Sequence, residues 1–460
     1  MLKVLLIILL IVIAYPIYLL FIESPPPLPK LDYNAWWGPE KLRQRQDTSI
    51  RPFAINFTET MINDLRGRLR NHRDFTPPLE GIAFEYGFNT KALDSWIQYW
   101  AEEYPFEDRE KHINQFPQFK TNIQGLDIHF VRVKPQVPAN VEVVPLLLLH
   151  GWPSSVLEFY SVVPLLTTLS KGNNFALEVI IPSLPGYGYS DAAVRPGLGA
   201  IEIAVVLRNL MRRLGHDQFY IQGGDWGGII CSNMATLFPK EVLGYHTNFG
   251  ILRDPKSFIL ELLISIYPPL FMDPELVDRL YPLSKSFSFL VEESGYFHIQ
   301  ATKPDTIGVS LTDSPAGLLA YILEKTSVAT RPENRNLEDG GLTKYFTREH
   351  LVDNLMMYWT SNSITSSMRL YAETINKKQL SVKIHQIPTS VPTWVVQAKH
   401  EISYQPPIIL KFKYHNLVNV RAIDIGGHFL ASELPQVFAD DVLDAIQAFR
   451  SLKKSSKSEL

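Results

Sequence analysis

A glycine-rich hexapeptide, Gly223-Gly224-Asp225-Trp226-Gly227-Gly228, limits the folds open to this chain more than any other stretch in it. It follows the short apolar run Phe219 to Gln222 and precedes the apolar, helix-like run Ile229 to Phe238. The form is glycine, any residue, a central side chain, any residue, glycine: a strand-to-helix elbow that lifts its central side chain to the C-terminal edge of a sheet. An elbow needs a parallel sheet around it, and the chain has the rhythm of one. Pro145 to Leu149 and Leu177 to Ile181 read as buried strands, and Ile201 to Leu214 carries helical periodicity stopped by Gly215. Val391 to Ala398 and Val418 to Ile425 read as two later strands. Strands alternating with helices at this interval predict right-handed crossovers and a parallel sheet covered on both faces. Between about Asp254 and Ile387 the rhythm lapses into helical and aromatic segments such as Leu351 to Ala372, which predicts an inserted helical lid. By itself the hexapeptide is also compatible with a glycine-rich turn and a helix-capping aspartate.

Partners for Asp225 favour the elbow. His428, in Ile425-Gly426-Gly427-His428-Phe429, lies just past the last predicted strand, where a base can reach the elbow. Glu401 follows Val391 to Ala398 by three residues, where a carboxylate would orient the imidazole. Taken singly, Glu401 reads as a surface carboxylate and His428 as a loop histidine. Together, each after its own strand, they follow the nucleophile, acid, histidine order of the α/β-hydrolase fold. The loop His150-Gly151-Trp152-Pro153 follows an earlier strand. Backbone N–H groups of Trp152 and Trp226 would there form an oxyanion hole, against the plainer reading of a proline turn.

Aspartate in place of serine changes the substrate. A serine opening an alkyl electrophile would leave an ether, which activated water does not cleave, whereas a carboxylate leaves a hydrolysable ester. The target is therefore an sp³ carbon with a leaving group, in an epoxide or an alkyl halide. An epoxide releases an alkoxide that needs an acidic hydroxyl, and the 20 tyrosines of the chain leave that choice open.

Composition removes other classes. With 46% hydrophobic and 20% charged residues the chain is of ordinary globular type. The 44 basic and 47 acidic residues nearly cancel and form no long basic block, which argues against nucleic acid. One cysteine, Cys231, excludes an intrachain disulfide and a CxxC metal site, and no metal or cofactor is expected. Val4 to Ile22 is an uncharged, largely apolar run long enough to span a bilayer, and it predicts an uncleaved anchor over residues 1–24. Lys3 before it and Lys30 and Lys41 after it lean towards a single pass with a cytosolic body. Pro25 to Pro29 reads as a semi-rigid spacer, and Ser451 to Leu460 as a frayed polar tail whose Lys457-Ser458-Glu459-Leu460 is only loosely similar to a retrieval signal. The sequon Asn56-Phe57-Thr58 reads as chance.

The chain resembles the microsomal epoxide hydrolases nearly end to end. The likeness rests on the anchor, Trp36-Trp37-Gly38-Pro39, Phe75 to Glu80, Phe119-Lys120-Thr121, Gly125 to Phe130, the His150 loop and the Asp225 elbow. In the lid, Glu293-Ser294-Gly295-Tyr296 with His298-Ile299-Gln300 and Thr302 to Thr306 is similar to the family's first tyrosine segment, and Arg369-Leu370-Tyr371 to its second. The resemblance implies an α/β-hydrolase fold with an inserted helical lid, an N-terminal meander and an N-terminal transmembrane helix. It implies Asp225 as nucleophile, His428 as base, Glu401 as orienting acid, and Tyr296 with Tyr371 as donors to the epoxide oxygen. The corresponding divisions are an anchor at 1–24, a spacer and meander at 25–110, a core at 111–253, a lid at 254–387 and the rest of the core and the tail at 388–460. Lipophilic epoxide and water are the implied reactants, with bilayer lipid met through residues 4–22. The wording of Phe119 to Pro135 is most similar to the insect juvenile hormone epoxide hydrolases. The other readings are a general xenobiotic epoxide hydrolase, an alkyl-halide hydrolase, and a non-catalytic lipid binder, which the presence of Asp225 and His428 disfavours. Gly228 stands where some members carry serine, outside the proposed chemistry.

Overall fold

Nine strands pair into one sheet in the order β1-β2-β3-β5-β4-β6-β7-β8-β9. They are β1 (Arg51–Phe53), β2 (Gln118–Ile123), β3 (Leu126–Val133), β4 (Glu142–Leu149), β5 (Phe175–Pro182), β6 (Phe219–Gly223), β7 (Val242–Thr247), β8 (Thr393–Gln397) and β9 (Leu417–Ala422). This is a computed structural model, and it describes residues 14–15, 18–169 and 174–458. Most of the Val4–Ile22 run therefore lies outside the described residues. Among the described residues no single helix is long and apolar enough to cross a membrane.

From β5 through β9 every pairing is parallel, as the helix-strand rhythm predicts. The β1, β2 and β3 end is antiparallel, and its strands carry no continuous apolar run of the kind that marked the buried strands. Gln124 and Gly125, at φ 52° and 89°, make the two-residue turn of the β2–β3 hairpin, which needs two left-handed residues in succession. β7, also unread in the sequence, is short and holds Gly244 and two polar residues.

Helices cover both faces. Side chains alternate along β7, so adjacent residues show the two layers. A Cβ on Gly244 would strike the Phe449 ring of the helix Pro435–Ser458, while the Tyr245 hydroxyl donates to the Gly228 carbonyl of the helix Asp225–Leu237 at 2.9 Å. The tail expected to fray from Ser451 instead continues this last helix to Ser458. Phe438, Val442, Ile446 and Phe449 bury its earlier turns, and adding residues to a formed helix is easy compared with nucleating one.

Between β7 and β8 the chain leaves the sheet for the expected helical lid, which runs from Pro255–Ile264 to Lys377–Val382. The helical stretch read from Leu351 to Ala372 is two helices, Arg348–Ser361 and Ile364–Thr374. Asn362 separates them in the left-handed conformation, at φ 54°, one that asparagine tolerates better than most residues.

Candidate active site

The elbow places Asp225 at the end of β6 and the start of the helix Asp225–Leu237, with φ at 47°. A non-glycine residue held there is strained, and the surrounding packing must maintain it. Two glycines make that packing feasible. A Cβ on Gly227 would overlap the Leu149 carbonyl at the end of β4, and one on Gly151 would overlap the Asp225 side chain itself. The helix therefore seats directly on the sheet, and the His150 loop lies against the carboxylate. The Trp152–Pro153 peptide of that loop is cis.

Trp152 N–H donates to Asp225 Oδ1 at 2.8 Å. Trp226 follows Asp225 in the first helical turn, where a backbone N–H has no partner from its own helix. His150 lies behind the loop, accepting the Leu184 N–H at Nε2 (3.2 Å) and meeting the Gly151 carbonyl at Nδ1 (3.0 Å). Burial lowers its pKa to about 4, so it is a neutral brace for the loop.

His428 stands between the two carboxylates. Its Nδ1 is 2.7 Å from Glu401 Oε1, and its Nε2 is 3.6 Å from Asp225 Oδ2. Burial by itself would lower its pKa, but the Glu401 and Asp225 charges outweigh burial and hold it well above the usual histidine range. Glu401 is itself held by the Ile402 N–H at 2.8 Å. The structure thus brings together two hydrogen-bonded pairs, Glu401 with His428 and the Trp152 amide with Asp225, whose charged atoms face each other at 3.6 Å.

The lid closes this cluster with aromatic rings. Tyr296 stacks on Trp152, with centroids 5.3 Å apart and planes at 12°, and Tyr371 meets Trp226 edge-on at 4.8 Å. The two tyrosine rings are 6.3 Å apart. Burial raises both phenol pKa values, with the Asp225 charge adding to the effect, so both hydroxyls stay protonated. The sequence reading therefore placed seven residues, and all seven line or adjoin one site.

It missed two. Glu158 shares with Asp225, His428 and Ser154 a cavity that has room for about one water molecule. Burial pushes its carboxyl up to about 7, opposed by Ser154 and the His428 charge. The signal for it was an acid inside the otherwise apolar run Val156 to Tyr160. Tyr321 meets Trp152 edge-on at 5.8 Å, and helix-borne tyrosines give no comparable signal. Among the described residues no group of three or more His, Cys, Asp or Glu could hold a metal ion.

Comparison with known proteins agrees with this geometry. The family model described as epoxide hydrolase N terminus matches residues 50–159, and that of the alpha/beta hydrolase fold matches residues 144–272. The juvenile hormone epoxide hydrolase of Bombyx mori is 60% identical, over 98% of both chains. Epoxide hydrolase 1 of Sus scrofa is 43% identical, over 89% of this chain and 91% of its own. The crystal structure of the silkworm juvenile hormone epoxide hydrolase superposes with a TM-score of 0.91 at 61% identity, covering 92% of this chain and all of that one. Aspergillus niger epoxide hydrolase gives 0.72 at 26% identity, covering 88% of this chain and 97% of its own. With an elbow aspartate where hydrolases of this fold more often carry serine, and with relatives of this identity along nearly its whole length, the chain belongs to the microsomal epoxide hydrolase family and is an epoxide hydrolase.

Proposed function

We propose that this enzyme hydrolyses a lipophilic epoxide, juvenile hormone, to its diol in two steps at Asp225. The observation that carries the mechanism is the position of His428, 2.7 Å from Glu401 and 3.6 Å from Asp225, beside a carboxylate whose other oxygen accepts the Trp152 N–H. Asp225 Oδ2 attacks an epoxide carbon, the carbon–oxygen bond opens, and Tyr296 or Tyr371 donates a proton to the departing oxygen. Esterification removes the Asp225 charge, one of the charges that keep His428 protonated, so the imidazolium passes its proton to the tyrosinate left by ring opening and becomes a competent base after the first step. It then takes a proton from water attacking the ester carbonyl. The Trp152 and Trp226 amides hold the resulting oxyanion at Oδ1 while Glu401 stabilises the imidazolium. The oxyanion then collapses, the Cγ–Oδ2 bond breaks, and the alkoxide leaves as the diol with the proton of the new Asp225 carboxyl, which restores the carboxylate.

The name of the silkworm relative and its high identity support juvenile hormone as the substrate. The apolar run Val4 to Ile22 supports a body tethered to the microsomal membrane and facing the cytosol, where a membrane-dissolved epoxide is at hand. A single turnover in heavy-oxygen water tests the mechanism. The diol is expected to acquire an unlabelled oxygen from the carboxylate, with the label appearing in Asp225. Label entering the diol in that first turnover would reject the ester intermediate. Comparing kcat/KM for juvenile hormone with that for a simple aromatic epoxide tests the substrate: equal values would return the enzyme to general detoxification.

A further inference from the structure

The lid leaves a broad apolar surface uncovered. Along Pro255–Ile264 and the turns after it, Phe258, Leu262, Ile266 and Leu270 are exposed, Ile266 by 80% and Leu270 by 70%. On the helix Leu283–Glu293, Phe287 and Val291 are exposed at helical spacing, Phe287 by 68%. The two segments are tied together, since the Tyr281 hydroxyl just before the second helix donates to the Glu261 carbonyl of the first at 2.8 Å. Single apolar side chains on a surface are ordinary, but a concentration of this kind marks a contact surface.

The chain itself indicates what that surface meets. Tyr18–Ile22, the end of the apolar run, forms a helical turn packed beside Pro255–Ile264. Lys256 fastens the two, with Nζ 3.2 Å from the Glu23 carbonyl and 3.8 Å from Glu23 Oε2. The point at which the run reaches the folded body is thus pinned next to the exposed lid residues. We propose that this face of the lid, from Phe258 to Leu270 together with Phe287 and Val291, is a second membrane-contact surface seated in the lipid headgroup region. The proposal rests on the reading that residues 4–22 enter a bilayer. An apolar helix face lies about 5–10 Å into the headgroup and acyl boundary, a depth these side chains suit without spanning anything.

The same surface leads to the chemistry. The helix Leu283–Glu293 is followed by Gly295–Thr302, which carries Tyr296, and the part-exposed Phe297 meets Tyr371 edge-on at 5.4 Å. A lipid-facing lid would therefore hold the aromatic wall of the active site at the bilayer, so that a lipophilic epoxide passes from lipid to Tyr296 and Tyr371 with little exposure to water.

The test uses the full chain on phosphatidylcholine vesicles. Cys231 is buried, so Ile266→Cys, Phe287→Cys and, as a control on another exposed loop, Val194→Cys can each be labelled with a nitrobenzoxadiazole dye. Doxyl-labelled lipid is expected to quench the dyes at 266 and 287 and to spare the dye at 194. If the protein floats with the vesicles but the dyes at 266 and 287 are no more quenched than that at 194, the surface is overturned while the anchor stands. Shielding from water without lipid quenching also overturns it, in favour of a second copy of the chain. If the protein does not float at all, both readings fail. Independently, a Phe258→Ser, Ile266→Ser, Leu270→Ser variant is expected to raise KM severalfold for a vesicle-dissolved epoxide and to leave kcat on a water-soluble epoxide unchanged. An unchanged KM on vesicles would contradict the access role.

Discussion

Glu158 faces the same small cavity as Asp225 and His428, and burial pushes its carboxyl up to about 7. Folding therefore favours its neutral form. The corresponding stability is fully present below the ordinary carboxyl range and is lost as pH rises to about 7 and beyond. Glu158→Gln keeps a neutral side chain of the same shape, so it is expected to melt above the wild type at pH 8, with the difference vanishing towards pH 4. Thermal denaturation at the two pH values checks this. Under the proposed mechanism the lid tyrosines bear on ring opening. Tyr296→Phe with Tyr371→Phe removes both hydroxyl donors while leaving the rings packed on Trp152 and Trp226. Alkylation is expected to slow about 100- to 1000-fold, by analogy with losing an oxyanion donor, while hydrolysis of preformed ester is spared. Single-turnover tryptophan fluorescence should resolve the two steps. In His428→Gln the order reverses: alkylation persists and the Asp225 ester accumulates, visible as an added mass on the protein.

Two glycines in helices, Gly227 and Gly67, predict opposite outcomes. Gly227 lies where a Cβ would overlap the Leu149 carbonyl, and backbone has nowhere to retreat. Gly227→Ala should push the helix Asp225–Leu237 off the sheet, cost about 1–3 kcal/mol as overpacking does, and misplace Asp225 enough to abolish turnover. Gly67 sits within the helix Glu59–Arg70 with nothing near the position of a Cβ. There Gly67→Ala should stabilise by about 0.5–1 kcal/mol, because alanine gives up less backbone entropy. Urea denaturation of the pair separates helix propensity from close approach. The spacing of glycines around Asp225 announced an elbow. That Gly151 is required by the neighbouring loop, and Gly67 by nothing, depends on where other segments lie.

At the scale of the whole molecule, the segment between β1 and β2 is joined to the lid by a buried charge. Asp353, on the lid helix Arg348–Ser361, accepts from the Tyr104 hydroxyl at 2.7 Å and from Arg109 Nε at 3.0 Å. Trp100 Nε1 reaches Met356 Sδ of the same helix at 3.3 Å. These residues precede β2 in the chain, yet they brace a lid inserted after β7. Asp353→Ala would leave the Arg109 guanidinium without its carboxylate, and the expected cost is about 3–5 kcal/mol. Faster proteolysis at both the 99–113 region and the lid would show that the two open together. An effect confined to one of them would contradict this coupling.

By itself the sequence determined the alternation of parallel strands and helices, the elbow aspartate, and the order in which Asp225, Glu401 and His428 occur. These follow from local periodicity and from backbone positions that favour glycine, properties carried by neighbouring residues. Only the tertiary structure decided that Glu401, His428 and Asp225 come together in one cluster, that Tyr296 and Tyr371 roof it through Trp152 and Trp226, and that Glu158 shares its cavity. It also decided the antiparallel edge of β1 to β3 and the exposed lid face beside Tyr18–Ile22. Such contacts join residues tens to hundreds of positions apart. Their geometry is set by how layers pack, and local sequence pattern does not encode that distance.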